Sequence, residues 1–401
     1  MTLSIGLFTY STRPRGSVVH AAALAEALAD LGHDVTLYAL RKPGDTFYRP
    51  LRCDLRLFDA GSAPSDTDAL IRQRIGEFVS GLASERPRHD LYHAEDCLAA
   101  NALLAARPLG VRNVVRTVHH VERFESPYLL ECQRRSIEGA DALISVSGVT
   151  RREVLSEFRR VSRLVPNGVD VERFARANPA LEAELRNRVG ATPGDTLFLS
   201  VGGVEPRKNS LNMLEAFAAA CETRGDLVWA IAGGASIFEH AAYRAEFAAR
   251  LERLSPHVAA RVRLLGVLAE DEVTPLYRAS DVLLTPSAQE GFGLSALEGL
   301  AAGTPVLASN RAPFTEYLDD GVACLVDPES PGAIRDAMLR LASSAALRAR
   351  LSEGGRRRAP AFAWSRVAGF HVDFYREFLS GNRRHGAPNT HELTTGISAH
   401  A

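Results

Sequence analysis

Short apolar runs alternate along this chain with longer segments of helical periodicity, and the alternation occurs twice. Residues 5–10 form an apolar run, a turn follows at Arg13-Pro14-Arg15-Gly16, and an Ala/Leu-rich segment to Leu31 has the composition of a helix. Gly32-His33-Asp34 closes it and 35–40 returns to an apolar run, which gives strand–helix–strand, the unit of a parallel sheet. Strands at 91–94, 111–118 and 142–146 and helices at 99–106 and 127–139 continue the rhythm. The strands are continuous apolar runs, the pattern expected when both faces of a sheet are covered.

Turn chemistry at Val165-Pro166-Asn167-Gly168-Val169-Asp170 breaks this rhythm, and the polar stretch 178–195 reads as a connection between domains. The alternation then restarts. Strands are predicted at 197–201, 227–232, 262–265, 282–284 and 305–308, and helices at 210–223, 240–254 and 294–302. Ser330-Pro331 is a helix start, with a capping serine before proline at the first helical position. A last helix is expected over 364–379, and the polar residues from Gly381 onward are expected to be disordered. The fold class is therefore α/β, two doubly wound domains facing a cleft, with ligands at the carboxyl ends of the strands.

Composition narrows the partners. The 401 residues are 46% apolar and 24% charged with a net charge of −1, which suits full cores and argues against a nucleic-acid partner. Of the 47 basic residues only Lys42 and Lys208 are lysine, so the setting of each is informative. The five cysteines are scattered without C-x-x-C spacing, as reduced thiols would be. The N-terminal apolar run is too short and too polar for a signal peptide. No run of about 18 apolar residues is present, and the expected location is cytoplasmic.

Two turns carry candidate chemistry. In Pro286-Ser287-Ala288-Gln289-Glu290-Gly291-Phe292-Gly293-Leu294-Ser295-Ala296-Leu297-Glu298 a strand ends, glycines follow and a helix begins. Glycines allow close approach of an anion, and free N–H groups at a helix start bind phosphate. Glu298 in the first turn suits vicinal ribose hydroxyls, while Glu290 lies on the other side of the glycines. The alternative is a tight turn whose acids favour the helix dipole. The second turn, Ser200-Val201-Gly202-Gly203-Val204-Glu205-Pro206-Arg207-Lys208-Asn209, sets adjacent cations at a strand end. They suit a diphosphate leaving group, because they offset its growing charge without a metal; alone, they read equally as a solvated basic turn.

Together these motifs resemble the nucleotide-sugar site of retaining GT-B glycosyltransferases, specifically glycosyltransferase family 4, the group 1 transferases. Arg15-Gly16-Ser17, Gly32-His33-Asp34-Val35, Thr117-Val118-His119, Ala140-Asp141, Val165-Pro166-Asn167-Gly168-Val169-Asp170 and Ala302-Gly303-Thr304-Pro305-Val306 agree in order and spacing. The resemblance spans about residues 4–380. It implies two Rossmann-like domains, an acceptor-side domain over 1–185 and a nucleotide-sugar domain over 186–360, with a crossover helix at 361–380 and a tail at 381–401. It assigns catalytic roles to His119, Glu290, Arg207 and Lys208. Donor contacts fall to Gly16, Val267, Gly291, Phe292, Gly293, Leu294 and Glu298. It implies a nucleotide diphosphate sugar as donor, no cofactor, no metal, an unidentified small-molecule, glycan or lipid acceptor, and transfer with retention.

Three positions depart from the family pattern: Gly203 replaces a frequent arginine, Ser17 a frequent glycine, and His120 a frequent aspartate. Gly203 supports a rival reading, a non-catalytic nucleotide-sugar binder. Another GT-B enzyme, such as a nucleotide-sugar epimerase, is a second rival. A pyridoxal-phosphate phosphorylase needs a Schiff-base lysine, and the basic turn around Lys208 suits phosphate better. No G-x-G-x-x-G follows a strand, which disfavours NAD. Asp66-Thr67-Asp68 matches a metal-binding D-x-D, but lacks a preceding strand. His93-Ala94-Glu95-Asp96 is read either as an acceptor contact or as a satisfied loop histidine. Arginines 151, 152, 159, 160 and 163 suit an anionic lipid surface, yet Glu153 and Glu157 on the same helix favour a solvated face.

Overall fold

The computed structural model describes residues 2–86, 88–234 and 240–384. The first half forms a seven-stranded parallel sheet from β1 (Ser4–Thr9), β2 (Asp34–Arg41), β3 (Asp54–Asp59), β4 (Leu91–Ala94), β5 (Val114–Val118), β6 (Ala142–Ser145) and β7 (Arg163–Leu164). Its order is β3-β2-β1-β4-β5-β6-β7. The second half forms a six-stranded parallel sheet from β8 (Thr196–Val201), β9 (Leu227–Ala232), β10 (Val262–Gly266), β11 (Val282–Thr285), β12 (Val306–Ser309) and β13 (Ala323–Val326), in the order β10-β9-β8-β11-β12-β13. In both sheets the strand order reverses once, between β1 and β4 and between β8 and β11. At such a switch point the loops leaving neighbouring strands diverge and open a crevice. Both glycine turns singled out above leave β8 and β11, and the loops carrying Gly16 and Glu95 leave β1 and β4.

Each sheet is covered on both faces. Helix Gly16–Asp30 buries Val18, Ala21, Leu24 and Leu28 against Ile5 and Leu7, and Phe78 and Leu82 cover the opposite face with Phe8 and Tyr38. In the second half Trp229, Phe198 and Phe217 fill one face, and Leu199, Leu283 and Tyr277 the other. The helix Trp364–Arg384 crosses back, and Val367, Ala368, Val372 and Tyr375 join the core of the first sheet. The two crossings of the cleft run side by side: Val169 N donates to Phe362 O at 2.8 Å, and Trp364 N to Val169 O at 3.3 Å.

The stretch 178–195, expected as an unpatterned connection, holds the helix Pro179–Arg188, capped by Asn178. Leu185 and Val189 enter the core of the second half, and Arg278 pairs with Glu182 at 2.9 Å. The helix therefore spans the expected boundary at 185/186. Its apolar stripe is one residue per turn amid charges, too narrow for periodicity to show. Further elements escaped the pattern, among them strands β3, β7 and β13 and the helices Thr67–Glu85, Ala345–Arg358 and Glu270–Ala279, the last with Pro275 inside. Of the tail expected to be disordered from Gly381, residues 381–384 continue the last helix, and the rest, from residue 385 onward, lies outside the described residues.

Candidate active site

In the second half, the turns after β8 and β11 meet through Glu290. Lys208 Nζ donates to Glu290 Oε1 at 2.6 Å, Ser287 Oγ donates to the same oxygen at 3.1 Å, and Arg207 donates to Oε2 at 3.2 Å. Arg207 also pairs with Glu205 at 2.8 Å. Burial pushes the Glu290 carboxyl up, but the charges of Lys208 and Arg207 outweigh it and hold the group below its ordinary value. Two carboxylates and two cations thus form a balanced network, and the cations expected to face a diphosphate are paired with acids here.

Glycine at 203 has a local cause. Its φ is +77° and a Cβ there would lie 2.6 Å from Gly234 O. An arginine at this position, as in the family pattern, would need both a left-handed backbone and displacement of the neighbouring turn. The backbone thus accounts for a glycine at 203.

The helix Leu294–Ala302 begins at Gly293 without a side-chain cap, so its first N–H groups are free for an anion. Phe292 is buried and stacks on Tyr317 with centroids 4.9 Å apart; the Tyr317 hydroxyl donates to Phe292 O and Gly293 O, each at 3.1 Å. Leu294 is half-buried. Glu298 Oε2 accepts from the Tyr277 hydroxyl at 2.6 Å, and burial pushes the Glu298 carboxyl up. The Lys208 charge lowers the pKa of Glu290 and, more weakly, that of Glu298. Val267 is 70% exposed and touches the turn at Gly234.

Across the cleft, a Cβ on Gly291 would collide with the backbone oxygen of His119, so only glycine allows the two halves to approach this closely. His119 follows β5, and its Nε2 lies 2.9 Å from Glu95 Oε2. Burial holds its pKa down to about 4, partly offset by Glu95, which leaves the ring uncharged near neutral pH. His20 Nδ1 lies 3.0 Å from the same oxygen. His120 is exposed and bonds Glu122 at 2.7 Å. Gly16 opens the helix Gly16–Asp30, with nothing within 4 Å of a Cβ placed there; it is not packed against the rest of the site.

Several weaker motifs resolve into structure. Asp66 caps a helix by accepting from Ala69 N at 2.7 Å, and Asp68 accepts from Ser126 Oγ at 2.7 Å. His93 is buried, with the Tyr375 hydroxyl 2.6 Å and Thr117 Oγ1 2.7 Å from its two ring nitrogens. Arg160 donates to backbone oxygens of Ile137 and Ala140, and Arg163 pairs with Glu377. Among the described residues His20, Glu95 and His119 bring donor atoms within 4.8 Å of one another, a spacing that admits a cation. No helix among the described residues is long and apolar enough to cross a membrane.

Tyr277, Glu205 and His20 were not identified from the sequence. His20 left one signal, a single imidazole in an Ala/Leu-rich helix, and it is buried to 1%.

The family described as "Glycosyl transferases group 1" matches residues 182–358, and "Glycosyltransferase Family 4" matches residues 14–173. The chain is 34% identical to a D-inositol 3-phosphate glycosyltransferase of Saccharomonospora viridis, over 76% of this chain and 75% of that one. It is 30% identical to the enzyme of the same name from Streptomyces bingchenggensis, over 92% and 86%. Among solved structures, Anabaena HepE in complex with UDP-glucose superposes with a TM-score of 0.77 at 17% identity, over 94% of this chain and 100% of that one.

Proposed function

This chain belongs to the group 1 glycosyltransferases of family 4, with the GT-B fold, and we propose that it moves a sugar from a nucleoside diphosphate sugar to an acceptor hydroxyl, with retention and without a metal. The observation that carries this reading is the joining of Lys208, Arg207 and Glu290 at the β8/β11 switch point, beside an uncapped helix start. When a diphosphate enters, the two cations turn from Glu290 and Glu205 towards its oxygens, and Glu290 is released to accept from hydroxyls of the transferred sugar. Glu298, steadied by Tyr277, accepts from the ribose hydroxyls, and Val267 lies beside the base. The acceptor oxygen bonds to the anomeric carbon on the face from which the diphosphate leaves. The bond from that carbon to the phosphate oxygen breaks, its electron pair stays on the phosphate, and the acceptor proton follows to that oxygen. Arg207 and Lys208 stabilise the charge as it develops.

The relatives supply the first substrates to try, UDP-glucose as donor and D-inositol 3-phosphate as acceptor. Release of nucleoside diphosphate in EDTA, with the anomeric configuration of the product read by NMR, tests the reading. A retained configuration at an EDTA-insensitive rate supports it; an inverted product or a strict metal requirement contradicts it.

A further inference from the structure

We propose that Glu95 is a positioning residue, whose buried carboxylate keeps the His119 proton on Nε2 and so leaves Nδ1 as a bare hydrogen-bond acceptor for a hydroxyl in the cleft. The Glu95 side chain is fully buried, with Oε2 2.9 Å from His119 Nε2 and 3.0 Å from His20 Nδ1. A carboxylate sealed from water must be stabilised by donors; among the described residues only the His119 contact has the alignment of a hydrogen bond, while His93 Nε2 lies 3.6 Å from Oε1. A neutral imidazole carries one proton, so an Nε2–H held by Glu95 leaves Nδ1 unprotonated. No hydrogen bond to Nδ1 is made among the described residues, whereas the backbone oxygen of His119 accepts from Thr150 at 3.5 Å.

The ring is also held from its side. His20 packs against it edge-on at 4.8 Å and against Trp364 at 5.0 Å, so the start of the C-terminal helix backs the site. His20, Glu95 and His119 are spaced closely enough for a cation. However, the direct His119–Glu95 hydrogen bond points along the direction a cation on Nε2 would occupy, and a metal would have to push the carboxylate back. The tautomer stands independently of the activity, while the role given to Nδ1 rests on the glycosyltransferase reading.

Nitrogen-15 NMR of the histidine rings of the full chain, with His119 assigned by His119→Asn, reads the tautomer without any substrate. The expected spectrum has a protonated Nε2 and an unprotonated Nδ1 for His119, and mixed tautomers in Glu95→Gln. For transfer, Glu95→Gln is expected to lower kcat by on the order of tenfold or more while donor KM shifts less than about twofold, with Glu95→Asp recovering part of the loss. A wild-type His119 protonated on Nδ1 overturns the proposal, whether or not Glu95→Gln folds. So does stoichiometric zinc in the isolated protein, or a folded Glu95→Gln of unchanged kcat. Absence of transfer in the wild type with the expected tautomer would instead count against the glycosyltransfer reading and leave the tautomer assignment standing.

Discussion

Glu316 reaches from the second half of the chain to the start of a helix in the first, where its Oε2 accepts from Gly148 N at 2.7 Å. Its other oxygen accepts from Val149 N at 3.0 Å. The helix Gly148–Phe158 has its own cap in Ser147, so Glu316 adds a second acceptor, supplied from across the cleft. A carboxylate at a helix start is favoured by the dipole and by the free N–H groups. Glu316 thus ties the halves together in the arrangement that brings Gly291 against His119.

Removing that tie is expected to loosen the closed arrangement without unfolding either half. Hydrogen bonds to charged groups are each worth about 1.5–3 kcal/mol. Glu316→Ala should therefore lower kcat/KM by at least about tenfold and raise the radius of gyration in solution scattering. A variant with unchanged scattering and unchanged kcat/KM contradicts the role.

Gly291 makes the same point by steric means. Gly291→Ala puts a methyl group where the His119 carbonyl lies, so the cleft must open. Displacement by about 1 Å at a reacting site costs on the order of a hundredfold, and kcat should fall by that amount with little change in Tm. Near-wild-type turnover would mean that the observed approach is not the working one.

The Tyr277 hydroxyl donates to Glu298 at 2.6 Å. Tyr277→Phe leaves a carboxylate that is free to rotate, and nucleoside diphosphate affinity should weaken about fivefold, the equivalent of one hydrogen bond of about 1 kcal/mol. Glu298→Gln should weaken it further while the fold stays intact. Unchanged affinity in Glu298→Gln, measured by calorimetry, would remove the ribose role.

The network around Glu290 has a pH signature. Its folded pKa lies below that of an unfolded glutamate, about 4.3, because Lys208 and Arg207 outweigh burial. The stability it adds is therefore fully present above that value and is lost as pH falls through the folded pKa. Lys208→Met removes the larger of the opposing charges and leaves a buried, undercompensated carboxylate, at a cost of about 3–5 kcal/mol at pH 7. The sign then reverses, and the variant should regain part of its deficit in Tm between pH 7 and pH 5. A deficit that is constant across that range contradicts the ion pairing.

The two glycine turns that meet at Glu290 were legible because their patterns are local. Gly291, Gly293 and Glu298 lie within one turn and its helix, and Arg207 and Lys208 within another, so short-range spacing carries the information. The central strands read well because continuous apolar runs suffice for a parallel sheet, whereas the edge strands β3, β7 and β13, being polar or short, were missed. Tyr277 was not legible, and Glu95 stood out only within the His93-Ala94-Glu95-Asp96 motif and not as a partner of His119, since each acts on a residue 21 or more positions away, and no local pattern marks such a pair. The helix Glu270–Ala279 was hidden by Pro275 and by its acidic first turn. Gly203 looked like a missing phosphate contact until its positive φ and the nearby Gly234 oxygen gave it a structural cause.

The central claim is that this cleft holds a nucleoside diphosphate through Arg207, Lys208 and the uncapped helix start, without a metal. The most direct measurement is thermal unfolding with UDP, GDP and ADP, each with and without EDTA, on the wild type and Lys208→Met. A ligand at about 100 times its Kd adds about 2.7 kcal/mol, which a melting curve resolves. The account predicts stabilisation by at least one diphosphate, equal in EDTA and strongly reduced in Lys208→Met. No stabilisation by any of the three, or stabilisation that EDTA abolishes, would contradict it.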